Sequence, residues 1–515
     1  MAAPALAVAL VLVLPLAYLV ARASGASGEV WETLARPRTW EIFGRSLGLM
    51  ATVTLAAALF AVPMAWLTTR SDLPFRRAFT VLGALPLVVP SYVGAFLYLS
   101  ALGPRGLLAD LLRPLGVTEL PTIYGFPGAM LSLTLLSYPY VFLTVRAALQ
   151  RADPALEETA ASLGVRPAAT FARVTLPTLM PAITGGSLLV ALYTLSDFGA
   201  VSLFRYETFT WAIYLQYRAA VDPSGAAALS LVLVSIALAV IVAESLLRRP
   251  AAYHRVGVGA VRPARPVPLG YWRWPSFALC ASVVGLALLV PVGVLLYWVA
   301  QGVAMGERLD PALALATNSV AVSLLGATAA TAAALPLGIL AVRHAGSLAR
   351  SLERVAYLSF ALPGIVIAFA LVFFGARYLP LLYQTMALLV VAYVIHFLAA
   401  ALASVRVSLL TVGPSLEEAA RSLGHGRASV LARVTLPLMW PGLLAGGSLV
   451  FLLVMKELPA TLLLAPLGFR TLATSLWSFA EAGFFARAAF PALVLLLASS
   501  VPMAFLVLRE PGRAR

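Results

Sequence analysis

Twelve stretches of the chain are long and apolar enough to cross a bilayer, for which a helix needs about 20 such residues. They run roughly over 4–21, 46–69, 78–101, 124–145, 180–203, 225–247, 276–300, 317–341, 355–376, 383–405, 441–465 and 487–508. Each is a continuous apolar run rather than the short alternating pattern of an outer-membrane strand, so the pattern predicts helices. Pro63, Pro86, Pro90, Pro336 and Pro363 fall inside spans. Neighbouring helices can satisfy the backbone groups that a proline frees. The predicted fold is an all-α polytopic membrane protein.

The polar intervals divide these spans into two similar sets of six. Residues 154–181 and 414–441 share 16 of 28 positions at a constant offset of 260. The same offset aligns Arg146 with Arg406 and Asp197 with Glu457. Earlier in each half an offset of 273 pairs Ser46 with Ser319, Pro63 with Pro336, Arg70 with Arg343 and Pro90 with Pro363. The change of offset implies a longer external loop in the first half (about 102–123) than in the second (about 377–382). Six spans per copy make the copies parallel, related by an axis along the membrane normal. The chain then divides into an N-terminal helix and external loop (1–41), a first repeat domain (42–247) and a linker rich in Pro and Arg (248–275). A seventh helix with its loop (276–315), a second repeat domain (316–508) and a short tail (509–515) follow.

Composition narrows the function. Of 515 residues, 61% are hydrophobic and 11% charged, against roughly 45–50% and about 25% in soluble domains. A water-soluble fold and intrinsic disorder are both excluded. The net charge of +15 would suggest nucleic acid in a soluble protein; here it reports topology. With the N-terminus in the cytoplasm, 23 of the arginines fall on the cytoplasmic side, and the net charge is +14 inside, +2 outside and −1 within the spans. Both termini are then cytoplasmic. No basic residue precedes Ala5–Val20, so this run reads as a retained helix and not a cleaved signal. The single Cys280 and the dispersed His254, His344, His396 and His425 offer no metal or redox spacing.

The repeated 28-residue segment lies between spans and has the signature of a short helix. Asp153 suits an N-cap, Pro154 the first helical position, and Gly164 the stop. Leu156, Ala160 and Leu163 share one face, with Glu157, Glu158 and Ser162 turned away. The second copy repeats this with Leu416, Ala420 and Leu423 against Glu417, Glu418 and Ser422, closed by Gly424. A second amphipathic stretch returns to the membrane at Leu176-Pro177 and Leu436-Pro437. Helices that lie on a bilayer carry basic faces. These are acidic, which points to a protein partner, and two equivalent loops on one side imply two equivalent partners.

The pattern E-x-A-x-x-L-G…V-x-L-P-x-x-x-P, at Glu158–Pro181 and Glu418–Pro441, resembles the EAA loop of ABC importer permeases, with Thr159 where that family usually has Ala. The resemblance covers about 42–247 and 316–508. It implies the type I importer permease fold, with this chain as the whole translocation path in a bacterial inner membrane. It also implies a coupling helix in each loop, carried by Glu157, Glu158, Ala160, Leu163, Gly164 and Pro177 in the first and by Glu417, Glu418, Ala420, Leu423, Gly424 and Pro437 in the second. The implied partners are two copies of a cytoplasmic ATPase and an external solute-binding protein. The segments Leu195–Thr210 and Lys456–Thr461 are similar to fused ferric iron permeases, which implies ferric iron as cargo. Thiamine permeases share the fused layout; spermidine/putrescine and sulfate are further alternatives. The chain has no G-x-x-x-x-G-K-[ST], and its only lysine is Lys456, within a span, so no P-loop is possible. ATP and Mg²⁺ are therefore expected on partner subunits, with no cofactor, metal or catalytic residue in this chain.

Charges inside the membrane are candidates for function. Asp197, Lys456 and Glu457 admit two readings: an external gate near cargo or binding protein, or a structural part in which the acids cap broken helix ends or interact with Arg205 and Arg470. His396 reads as a cargo or proton site or as hydrogen-bonded packing. Tyr206, Phe209, Trp211, Tyr214 and Tyr217 read as an interfacial aromatic belt. The rival from another class is a 12-span ion-coupled secondary transporter. The loop Arg70–Arg77 faintly resembles that family's basic loop, but it lacks the flanking glycines, and that architecture has no use for duplicated loops after spans four and ten.

Overall fold

A computed structural model describes residues 2–25, 27–152, 155–219, 224–247, 266–307, 310–344, 346–359 and 362–508. Among these residues ten helices are long and apolar enough to cross a membrane, and Gly364–Tyr378 and Phe485–Ser500 are shorter apolar helices. The polytopic α-helical architecture read from the hydrophobic pattern is the observed one. The expected N-cap Asp153, Pro154 at the expected first helical position, most of the linker (248–265) and the tail (509–515) lie outside the described residues.

Helix α1 (Ala2–Gly25) precedes the first repeat. That repeat contains α2 (Pro37–Arg70), α3 (Ser91–Leu102), α4 (Phe126–Arg151), the short α5 (Ala155–Ser162), α6 (Leu176–Ser196), the five-residue α7 (Gly199–Leu203) and α8 (Ser224–Leu247). A helical stretch over Gly270–Ala304 leads to the second repeat. Its helices are α9 (Asp310–Arg343), α10 (Gly364–Tyr378), α11 (Met386–Thr411), α12 (Pro414–Ser422), α13 (Leu436–Met455), α14 (Pro459–Leu464) and α15 (Phe485–Leu508).

Four expected spans are discontinuous. The segment expected over 78–101 is interrupted before Ser91, and that over 355–376 before Gly364. Pro90 and Pro363 stand at the two helix starts with ψ of 149° and 142°, the extended geometry in which proline can open a helix but not continue one. The segments expected over 180–203 and 441–465 end early, at Ser196 and Met455, and resume as α7 and α14. The stretch expected as an external loop before residue 42 is instead helical over Ser27–Ala35 and again from Pro37. The seventh span starts at Gly270 rather than 276.

The chain forms two compact units. One comprises Trp40–Trp211 and Ser235–Trp298; the other comprises Met1–Thr39, Ala212–Val234 and Val299–Arg515. In the first, α4 packs on α6 and α3, and α3 on α7. The Tyr98 hydroxyl donates to Leu286 O at 2.9 Å, fastening the seventh span to α3. In the second, α9, α11 and α13 pack together, α15 joins α13, and α10 packs on α14. Gly442 and Gly446 of α13 lie so close to Ser408 and Ser404 of α11 that a Cβ on either would collide with a serine. Small residues four apart on both helices allow this approach, and in lipid such packing substitutes for a hydrophobic driving force. The units therefore cut across the sequence repeats: kinship in sequence follows duplication, whereas packing follows which faces can approach.

The described end of the linker is tied to the loop after α2. Val267 N donates to Arg70 O at 2.7 Å, Asp72 N to Val267 O at 3.2 Å, and Leu269 N to Asp72 Oδ1 at 2.9 Å.

Candidate functional site

The two repeated loops fold alike. In each, a short acidic helix (α5 or α12) ends at a glycine with positive φ, 76° at Gly164 and 86° at Gly424. The amides beyond close on the helix: Val165 N donates to Ala160 O at 3.0 Å and His425 N to Ala420 O at 3.2 Å. Left-handed backbone at the residue after a helix is costly for all but glycine, which is why both copies keep it. One further helical turn follows, Pro167–Thr170 or Arg427–Val430, and then a π-helical turn, Phe171–Thr175 or Leu431–Thr435, running into α6 or α13. Pro177 and Pro437 sit just past these turns. Proline has no N–H and its ring collides with the carbonyl four residues back; a widened turn accommodates that carbonyl.

The apolar-face expectation is corrected by the side chains. Ala160 and Ala420 are buried as expected, yet Leu163 is 76% exposed, Leu423 80% and Leu416 50%. Glu417, expected to face outward, is 8% exposed. The reason is a polar anchor that helical periodicity cannot reveal. Glu417 Oε1 accepts from Arg343 Nη2 at 3.0 Å and Nε at 3.3 Å, and from Thr435 Oγ1 at 3.1 Å. Arg343 Nη2 also donates to Val412 O at 2.8 Å and Leu409 O at 3.4 Å, the carbonyls at the end of α11. The first repeat has part of this set, the arginine on the helix-end carbonyls and the threonine on the glutamate, without a hydrogen bond from Arg70 Nε. Arg70 Nη2 donates to Leu149 O at 3.0 Å and Ala152 O at 3.2 Å, and Thr175 Oγ1 donates to Glu157 Oε1 at 3.0 Å. One glutamate and one alanine of each short helix thus face the protein, while Leu163, Leu416, Leu423 and the second glutamate, Glu158 or Glu418, face outward; the Leu156 side chain lies outside those described.

Sequence reasoning does not single out Arg70, Arg343, Thr175 or Thr435 for this site. The signal is nonetheless there: Arg70 and Arg343 align between repeats, and Thr175 and Thr435 are among the 16 identities. Ser46 and Ser319, also aligned, do equivalent work. Ser46 Oγ accepts from Phe209 N at 3.1 Å, and Ser319 Oγ from Leu472 N at 2.8 Å.

The intramembrane acids sit at the helix breaks. Asp197 follows the last residue of α6, is 7% exposed, and accepts through Oδ1 from Ala200 N at 2.9 Å and Val201 N at 3.3 Å. Glu457 lies two residues beyond α13 and accepts through Oε1 from Ala460 N at 3.0 Å. Ala200 and Ala460 are again 260 apart. Each carboxylate therefore caps the short helix that follows it, as one of the two expectations had it. Of the arginine partners expected there, Arg205 lies over the Tyr124 ring at 5.6 Å instead. Lys456 closes α13. His396 stands 3.7 Å from Glu457 Oε2. Of the expected aromatic belt, Phe209 and Tyr214 are buried, with Tyr214 edge-on to Trp477 at 5.9 Å. Among the described residues no three His, Cys, Asp or Glu side chains converge on a metal position.

Residues 57–251 and 334–515 both match the family of binding-protein-dependent transport system inner membrane components. The chain is 35% identical over 501 residues to the Fe(3+)-transport system permease protein FbpB 2 of Haemophilus influenzae, covering 96% of this chain and 95% of that protein. It is 34% identical over 217 residues to the molybdenum transport system permease protein ModB of Mycobacterium tuberculosis, covering 41% of this chain and 80% of that one. Over 195 residues it is 29% identical to the sulfate transport system permease protein CysT of Escherichia coli, covering 38% and 69% respectively.

Proposed function

The chain belongs to the family of binding-protein-dependent transport system inner membrane components, and on that premise we propose that it carries ferric iron inward, driven by two ATPase subunits docked on α5 and α12. It is a multi-pass inner-membrane permease of an ABC importer with the type I fold, in the fused form that holds both permease repeats in one chain. Its partners are an ABC ATPase and a solute-binding protein. Permeases of this family are not themselves enzymes, and in this reading ATP and Mg²⁺ are held by the ATPase subunits.

The observation that carries the coupling reading is the duplicated loop. Two short helices, anchored underneath by Glu157 or Glu417 and stopped by Gly164 or Gly424, each present an exposed leucine beside an outward glutamate. Exposed apolar anchors in a polar rim are what a docking surface requires. The cargo reading is supported by similarity along nearly the full length to a protein named as a ferric permease, whereas the matches to molybdenum and sulfate permeases cover one repeat's length. The charge asymmetry supports cytoplasmic termini. Asp197, Glu457 and Lys456 are assigned to the outer gate of the path, where the carboxylates act by holding the breaks after α6 and α13.

The test is to express the chain with an ABC ATPase and a solute-binding protein from its own genome. Co-purification of two ATPase copies per chain and ATP-dependent uptake of radiolabelled ferric iron are expected. An intact chain that recruits no ATPase, with uptake that collapses with the proton gradient alone, overturns the coupling reading. ATP-driven uptake of molybdate or sulfate but not iron overturns the cargo reading.

A further inference from the structure

The two break-capping carboxylates are held by different partners, and the differences compensate position by position. In the first repeat the acid is the shorter one, Asp197, and the hydroxyl of Ser91, the first residue of α3, lies beside the turn that this acid caps, 3.3 Å from where a Cβ on Gly199 would stand. Leu136 of α4 packs against Gly94 of the same helix α3. In the second repeat the acid is Glu457, one methylene longer, and the residue that opens α10, in register with Ser91, is Gly364. A Cβ built on Gly364 would stand 2.7 Å from Glu457 Oε1 and 3.4 Å from His396 Nε2. The longer carboxylate thus fills the volume that a serine would need. His396 of α11, in register with Leu136 at the offset of 260, stands 3.7 Å from Glu457 Oε2, at ion-pair distance.

We infer that His396 is a positioning residue for Glu457, taking over in the second repeat the part that Ser91 plays for Asp197 in the first. A carboxylate in a membrane-buried site needs polar partners beyond one backbone amide. Gly364 makes room for the extra methylene but offers no hydroxyl, so the imidazole from α11 supplies the polar contact. Ser91–Leu136–Asp197 and Gly364–His396–Glu457 are two arrangements of parts that keep a carboxylate on the first turn of a short helix, α7 or α14. The three departures from repeat symmetry are then a single exchange. A further tie, Tyr393 Oη to Thr461 Oγ1 at 2.7 Å, joins α11 to α14 beside it. The breaks concerned are those that the proposed function assigns to the outer gate, and the exchange holds whatever the cargo.

The exchange is tested by hydrogen–deuterium exchange on segment 456–464 of the full-length chain, assembled with its ATPase in lipid nanodiscs. His396→Leu should speed deuteration there by about tenfold, the scale of leaving a buried carboxylate short of a polar contact, while His396→Gln, which keeps a polar partner, changes it little. The triple variant G364S/H396L/E457D rebuilds the first-repeat arrangement and should restore native protection. Unchanged deuteration in H396L, or fast deuteration persisting in the triple variant, overturns the inference. If H396L does not assemble, recovered assembly in the triple variant supports the exchange and failed recovery overturns it. Iron uptake plays no part in this readout, so a wrong cargo leaves it unmoved.

Discussion

The Arg343 guanidinium, at the end of α9, stands 3.0 Å from the carboxylate of Glu417 in α12, 74 positions later in the chain. Both side chains are largely shielded, at 15% and 11% exposure, and the same guanidinium holds the last carbonyls of α11. One arginine therefore ties α9, the end of α11 and α12 together. On the proposed coupling, movement of α12 under a bound ATPase passes to α9 and α11 through this contact.

Removing one partner of a shielded pair leaves the other charge uncompensated, a cost of about 3 kcal/mol or more. Glu417→Ala should therefore raise proteolytic sensitivity at residues 413–435 and weaken ATPase coupling, with insertion of the spans unchanged. Arg343→Lys keeps the charge but not the fork of donors and should recover only part of the function. Uptake and limited proteolysis measured together check both; native uptake by Glu417→Ala would show that this anchor does not serve coupling.

The exposed leucines should matter to the partner and not to the fold. Leu163→Ser and Leu423→Ser each remove an apolar anchor from a surface helix, and interface anchors are worth about 2 kcal/mol or more. Each variant should lose at least roughly tenfold in ATPase affinity by titration, with thermal stability of the isolated chain unaltered. The double variant should abolish uptake.

Gly164 and Gly424 have open space where a Cβ would stand, so bulk alone is harmless there. The cost of substitution is backbone strain at positive φ, roughly 1–2 kcal/mol for an ordinary residue. Asn, which tolerates that region, should preserve coupling better than Ala, and Val should be worst. A ranking by side-chain size alone, with Asn worse than Ala, would refute the conformational account.

Gly442 and Gly446 make the opposite prediction, because there the space is filled. Gly446→Leu must push α13 away from Ser404 of α11, and overpacking of this kind costs about 1–3 kcal/mol. A fall in melting temperature of the detergent-solubilised chain checks it. Enlarging Gly447, where a Cβ would stand 3.7 Å from its nearest contact, Thr331 Oγ1, should be milder.

The residues differ in how far sequence can reach them. The spans, the repeat and the loops are legible because each rests on local chemistry: apolar length set by bilayer thickness, identity at a fixed offset, and glycine or proline at helix boundaries. Family membership follows from the same 28-residue pattern. The outward leucines and the inward Glu417 are not legible, since a 3.6-residue period assigns a face by polarity and cannot see Arg343 waiting 74 residues upstream. Asp197 and Glu457 are legible as charges in the membrane, but the breaks that they cap are ends of helices decided by backbone bonds to Ala200 and Ala460. Sequence alone thus determined that the chain crosses the membrane as two copies of one design with the same loop in each. Tertiary structure alone decided which side chains of those loops face outward and which hold the protein together, because a buried charge takes its direction from the group that neutralises it, and that group is brought near only by folding.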